Sequence, residues 1–130
     1  MSRGAWENTF PVILRNHGYQ TAWVGKNHVP VGEKSYKTGA MEQTFDYWYG
    51  NHGHSKFYPK ETAGSGGIYD NAKADTQIEI FEEGAMNFLD PQPEFIASCT
   101  APLIYRDKSK PFCMCVTFNL PHDCSTETME

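Results

Sequence analysis

The chain has 130 residues, 39% of them hydrophobic and 14% aromatic, with a net charge of -5. That is the make-up of one folded domain or part of one. The acidic balance argues against a nucleic-acid partner, which would favour a basic patch. No apolar run is long enough to span a membrane, and residues 1–6 carry no apolar signal core, so neither membrane association nor self-directed export is expected from these residues.

Residues 10–17 read as a short helix. Thr9 can cap it, Pro11 is tolerated in its first turn, and Val12, Ile13 and Leu14 are expected to face a sheet. Gly18 suits the left-handed end of that helix, and His17 sits near the negative end of its dipole. Residues 20–25 hold the compact run Thr21, Ala22, Trp23, Val24, fit for a strand buried on both faces. The strand runs out into Gly25, Lys26, Asn27 and His28. Ligands of open α/β sheets bind beyond the carboxyl ends of strands, so this is the layout of an active site. Residues 29–44 are rich in Gly, Lys and Pro and read as a surface loop. Phe45, Tyr47, Trp48 and Tyr49 form an aromatic cluster for a core or a cleft wall. Residues 50–67 carry five glycines with His52 and His54 and read as an irregular loop.

Thr76 and Glu79 fit a capping box, and Ile78, Phe81, Ala85, Phe88 and Leu89 recur as one apolar helical stripe. Asp90 and Pro91 stop that helix. Residues 91–110 are broken by prolines and end in Arg106-Asp107-Lys108-Ser109-Lys110, a solvated connector. Residues 112–118 read as a second buried strand, running into Asn119, Leu120, Pro121 and His122. The fold expected is α/β: part of a mainly parallel sheet flanked by helices. Two strands and two helices leave such a sheet incomplete on its own, because a buried parallel strand needs neighbours on both sides.

Cysteines stand at 99, 113, 115 and 124. Cys113 and Cys115 point to one face of a strand, and the spacing is not that of a zinc site. They read as small buried hydrophobes, or a disulfide involves Cys99 or Cys124.

Lys26 and His28 share a side if the backbone stays extended. An ammonium binds an anionic ester well, and a neutral imidazole beside it moves protons at neutral pH. From the residues alone, a solvated lysine and a loop histidine are the favoured reading, and His122 is open to a similar one as a capping or surface group. His52 and His54 admit a metal-pair reading, but without a nearby acidic cluster they read as part of a solvated loop.

Four pieces carry a resemblance. A helix ends at Gly18-Tyr19 and a strand leads to Gly25-Lys26-Asn27-His28-Val29-Pro30, similar to a family's Gly-Lys-Trp-His-Leu-Gly. Phe45-Asp46-Tyr47-Trp48-Tyr49-Gly50 is similar to Phe-Asp-x-Phe-Tyr-Gly. The helix of residues 78–89 and the string of residues 111–122, ending Phe118-Asn119-Leu120-Pro121-His122, follow in the family's order. The chain resembles the type I sulfatase (arylsulfatase) family of the alkaline-phosphatase-like superfamily, departing from it at Asn27 and at Val29-Pro30. The resemblance implies that residues 1–130 are a central segment of a sulfatase catalytic domain, with residues 91–110 as an insertion or connector. It implies hydrolysis of sulfate esters of a small molecule or carbohydrate, in an enzyme that is periplasmic, secreted or lysosomal. Lys26 would hold the sulfate, His28 would orient the nucleophile and help eliminate sulfate from it, and His122 would protonate the leaving alcohol.

The family's nucleophile is a formylglycine made from Cys-x-Pro/Ala-x-Arg. The nearest string here, Cys99-Thr100-Ala101-Pro102-Leu103, has Leu103 where Arg is needed and lies in the wrong part of the order, so it is rejected. The complete enzyme is expected to hold calcium, but its Asp-Asp and Asp-Asn ligands are absent from this chain and no metal ligand is assigned. The isolated chain is therefore expected to be inactive and prone to self-association. A phosphate or phosphonate ester hydrolase, or a non-catalytic anion-binding or interaction domain of the same fold, is the alternative reading.

Overall fold

The computed structural model describes residues 1–32, 39–53, 74–92, 94–95 and 103–118. Two short helices open the chain. The first, α1 (Arg3–Glu7), is capped by the Ser2 hydroxyl, which accepts from the Ala5 N–H at 3.2 Å, and it buries Trp6. The second, α2 (Phe10–Asn16), begins after Thr9 with Pro11 in its first turn. Thr9 occupies the cap position, but its hydroxyl donates back to the Trp6 carbonyl at 2.7 Å and caps nothing in α2. Gly18 takes the left-handed conformation expected of it, with φ 87°. The three consecutive apolar residues of α2 do not all face the sheet. Ile13 is 44% exposed, while Val12 packs beside Trp6 and Phe45. Successive helical residues turn by about 100°, so three in a row span more than one face.

The sheet is three-stranded and parallel, in the order β2-β1-β3. The central strand, β1 (Gln20–Asn27), runs two residues further than the sequence suggests. After the one-turn helix α3 (Ala40–Thr44) comes β2 (Tyr47–His52), a strand where an aromatic cluster and then a loop were expected. Its side chains alternate as a doubly buried strand requires. Tyr47 and Tyr49 join Ala22 and Val24 on one face; Trp48 joins Trp6, Val31, Met41 and Phe45 on the other. The part of the expected loop from residue 54 to residue 67 lies outside the described residues. The third strand, β3 (Phe112–Thr117), pairs with β1 and is half-buried rather than fully buried, having one partner strand among the described residues. Cys113 and Cys115 on it are free thiols. Burial, and then the neighbouring Cys113, push the Cys115 thiol up to about 11, so it stays protonated at neutral pH. Cys99 and Cys124 lie outside the described residues.

Helix α4 (Gln77–Leu89) crosses one face of the sheet. Its capping box forms as the sequence predicts: Glu79 N–H donates to the Thr76 hydroxyl and Thr76 N–H to the Glu79 carboxylate. The buried line is Ile80, Phe81, Gly84 and Phe88; Ile78, expected in the stripe, is 39% exposed. Phe81 meets Phe118 and Phe88 meets Phe112, so α4 runs antiparallel to β3 and its N-terminal half lies toward the strands' carboxyl ends. At the other end of the sheet, the Gln20 amide holds residues 104–107: it donates to the carbonyls of Ile104 and Tyr105 and accepts from Asp107 N–H.

Gly84 is the seat of the α4–β2 contact. A Cβ there would lie 2.1 Å from a ring carbon of Tyr49, and the Tyr47 hydroxyl donates to the Gly84 carbonyl at 2.8 Å. In Gly84→Ala the gain in helix propensity, about 1 kcal/mol, opposes an overpacking cost of about 1–3 kcal/mol. With the tyrosine ring fully buried, the clash is expected to win. Denaturant titration should show a lowered midpoint; an unchanged or raised one would show that the ring moves aside freely.

Candidate functional site at the carboxyl ends of the strands

The three strands end close together. Gly25 adopts φ 102°, and a Cβ on it would lie 2.0 Å from the Thr117 carbonyl oxygen, so only glycine lets β3 come this near. The Thr117 hydroxyl lies 2.7 Å from the Lys26 carbonyl and 3.2 Å from that of Val24, donating to them across the pair. This joint fixes the point at which β1 delivers its last residues.

Lys26 is half-buried at the end of β1, and His28, one step past the strand, is exposed. Asn27 between them is fully buried. The structure thus presents both expected site residues at the carboxyl end of the central strand. Two-residue spacing places accessible groups on either side of an inward one. The third, His122, lies outside the described residues. The strand that precedes it in the sequence, β3, is the direct parallel neighbour of β1, with Thr117 opposite Gly25.

Three polar residues support this end of β1, and the sequence did not single out two of them as partners. The Asn27 amide oxygen accepts from Val29 N–H at 2.9 Å, and its nitrogen lies 2.9 Å from His52 Nδ1 and 3.3 Å from the Val29 carbonyl. His52 Nε2 in turn bonds the Glu42 carboxylate. His52 is therefore not a solvated loop residue. It is the last residue of β2, paired in register with Asn27, and its ring lies against Trp48 at 5.4 Å. Trp48 itself stacks on Trp23. Glu42 sits on α3, within a stretch that reads as surface loop. His54 lies outside the described residues, and among the described residues no group of three or more His, Cys, Asp or Glu could hold a metal ion.

Burial alone would raise the Glu42 carboxyl. The hydrogen bond from His52 opposes that, a backbone hydrogen bond adds to it, and the net result lies below the ordinary carboxylate range. A depressed carboxylate stabilises the fold above its unfolded value, and this is lost as pH falls through the folded value. Glu42→Gln should therefore lower stability at neutral pH, and its gap from the parent chain should close on acidification through the carboxylate range. Denaturation midpoints across that range test this; a gap independent of pH would show that the carboxylate's charge contributes nothing.

Residues 2–128 match the Sulfatase family. Over 120 residues the chain is 32% identical to the N-acetylglucosamine-6-O-sulfatase of Bacteroides thetaiotaomicron, an alignment that covers 89% of this chain and 17% of that relative. The chain thus spans about a sixth of the length of the curated relative it matches. No solved structure matches it. A match that takes in Gly25-Lys26-Asn27-His28, the Phe45–Gly50 string and β3, and with them nearly the whole chain, places the chain in the sulfatase family.

Proposed function

We propose that this chain is part of a longer enzyme that hydrolyses sulfate esters, and that it supplies anion binding and proton transfer to that site. The observation that carries this is the presentation of Lys26 and His28 at the carboxyl end of the central parallel strand. The Lys26 ammonium is a compact positive charge suited to a sulfate oxygen. His28 orients the nucleophile and takes part in releasing sulfate from it. His122, following β3, protonates the leaving alcohol oxygen. The relative's name supports a sulfated amino sugar as the substrate class. Neither a nucleophile motif nor a metal-binding group is supplied by the residues described, so both would come from elsewhere in the longer protein.

The test has two arms, both using a chromogenic aryl sulfate with added calcium. The 130-residue chain alone is expected to give no turnover above background. Turnover that His122→Ala abolishes would overturn this. In the longer protein, His122→Ala should lower the rate by about 10²–10⁴-fold, the range of general acid catalysis. Preference for a phosphate ester over the sulfate would replace the proposed reaction with that of a phosphate hydrolase.

The isolated chain is further proposed to self-associate. Phe112 and Phe118, on and just beyond β3, are both exposed, β3 has one partner strand among the described residues, and an apolar strand with an open edge invites pairing. Sedimentation should show species larger than the monomer. A strictly monomeric chain with a cooperative thermal transition would contradict this.

A further inference from the structure

We propose that Glu42, His52 and Asn27 form a relay that positions the turn bearing Lys26 and His28, with His52 as its linking residue. The proposal rests on the sulfatase reading only in taking Lys26 and His28 as the working pair.

The direction of each hydrogen bond follows from one backbone group. Val29 N–H is a donor and nothing else, so the Asn27 atom 2.9 Å from it must be the amide oxygen. This settles the side-chain orientation without reference to the rest of the network. The Asn27 amide nitrogen, a donor, then faces His52 Nδ1 at 2.9 Å. Nδ1 must accept, so it carries no proton. The ring proton of neutral His52 sits on Nε2 and is donated to the Glu42 carboxylate. One tautomer satisfies all three residues. A proton on Nδ1 would set two donors against each other; Asn27 would have to rotate and leave Val29 N–H without its acceptor.

The relay joins three elements. Glu42 belongs to α3, His52 ends β2 and Asn27 ends β1. Asn27 is the buried residue between the two accessible ones, so fixing its side chain fixes the peptides on both sides of it. Trp48 holds the imidazole plane from the side. Lys26 and His28 act as the working pair; Asn27, His52 and Glu42 are positioning residues.

The experiment uses the longer protein, isotope-labelled at its histidines, lysines and valines, with inorganic sulfate as probe and NMR as readout. In the unmutated protein at neutral pH, the His52 ring nitrogens should show Nε2 protonated and Nδ1 as an acceptor. The opposite tautomer overturns the relay without any mutation. His52→Phe keeps a ring against Trp48 and removes both nitrogens. Exchange of the Val29 amide should then quicken by about tenfold, the scale of one lost hydrogen bond. His52→Gln, which restores one acceptor and one donor, should recover most of that protection. In sulfate titrations followed at Lys26 and His28, His52→Phe should weaken binding and His52→Gln should restore it. Unchanged Val29 exchange, or unchanged sulfate response in His52→Phe, would overturn the positioning role. If the unmutated protein shows no sulfate response at Lys26, the anion-site reading falls, and the relay stands or falls on the ring and amide signals alone.

Discussion

The structure depends on β1 being paired along both edges. A strand in that position has every backbone donor and acceptor committed, and its side chains buried on both faces. The commitment extends past the ladder at each end. At the start of β1, the Asp46 carboxylate accepts from Thr21 N–H at 2.9 Å and pairs with Arg15 at 3.1 Å, so α2 is drawn to the same corner. On the other side, Gln20 gathers residues 104–107 through three backbone bonds. At the far end, Thr117 and Asn27 take over. Lys26 is presented from a strand fixed in place along its whole length.

The parts of the fold legible in the sequence were those whose signal is local. The capping box of α4 is a three-residue relation, and it forms as written. Gly18 ends α2 by its own conformational preference. The strand character of β1 and β3 lies in compact apolar runs. Local reasoning went astray where tertiary contact chose between equals. Ile78 and Ile80 are both plausible members of an apolar stripe, and the seat of Tyr49 on Gly84 decides for Ile80. The end of β2 was missed for a related reason. Gly50, Asn51 and His52 have the composition of a loop, and they are extended because β1 lies beside them in register.

The site divides in the same way. Lys26 and His28 were legible because a polar pair just beyond a buried strand is a local pattern with a topological meaning. Glu42 and His52 were not, since their bonds span sequence separations of 10 and 25 residues. An isolated Glu on a one-turn helix and a His in a glycine-rich string offer no sign that a ring of hydrogen bonds will join them. Asn27 was visible only as a departure from the family's pattern. The structure makes it the most buried residue of its turn.

That departure has a physical reading. The site at residue 27 asks for an acceptor toward Val29 N–H and a donor toward His52 Nδ1. A primary amide offers both within one planar group. The indole found in the family's pattern offers one donor and no acceptor. With Trp in place of Asn27, Val29 N–H would lose its partner, and a large ring would need the space that Asn27 fills without any exposure. Losing the acceptor of this part-buried N–H costs free energy, and with the ring's bulk such a change calls for adjustment around residue 27. Asn27 is therefore one half of a matched pair with His52: the amide needs the imidazole's acceptor, and the imidazole's tautomer is set by the amide.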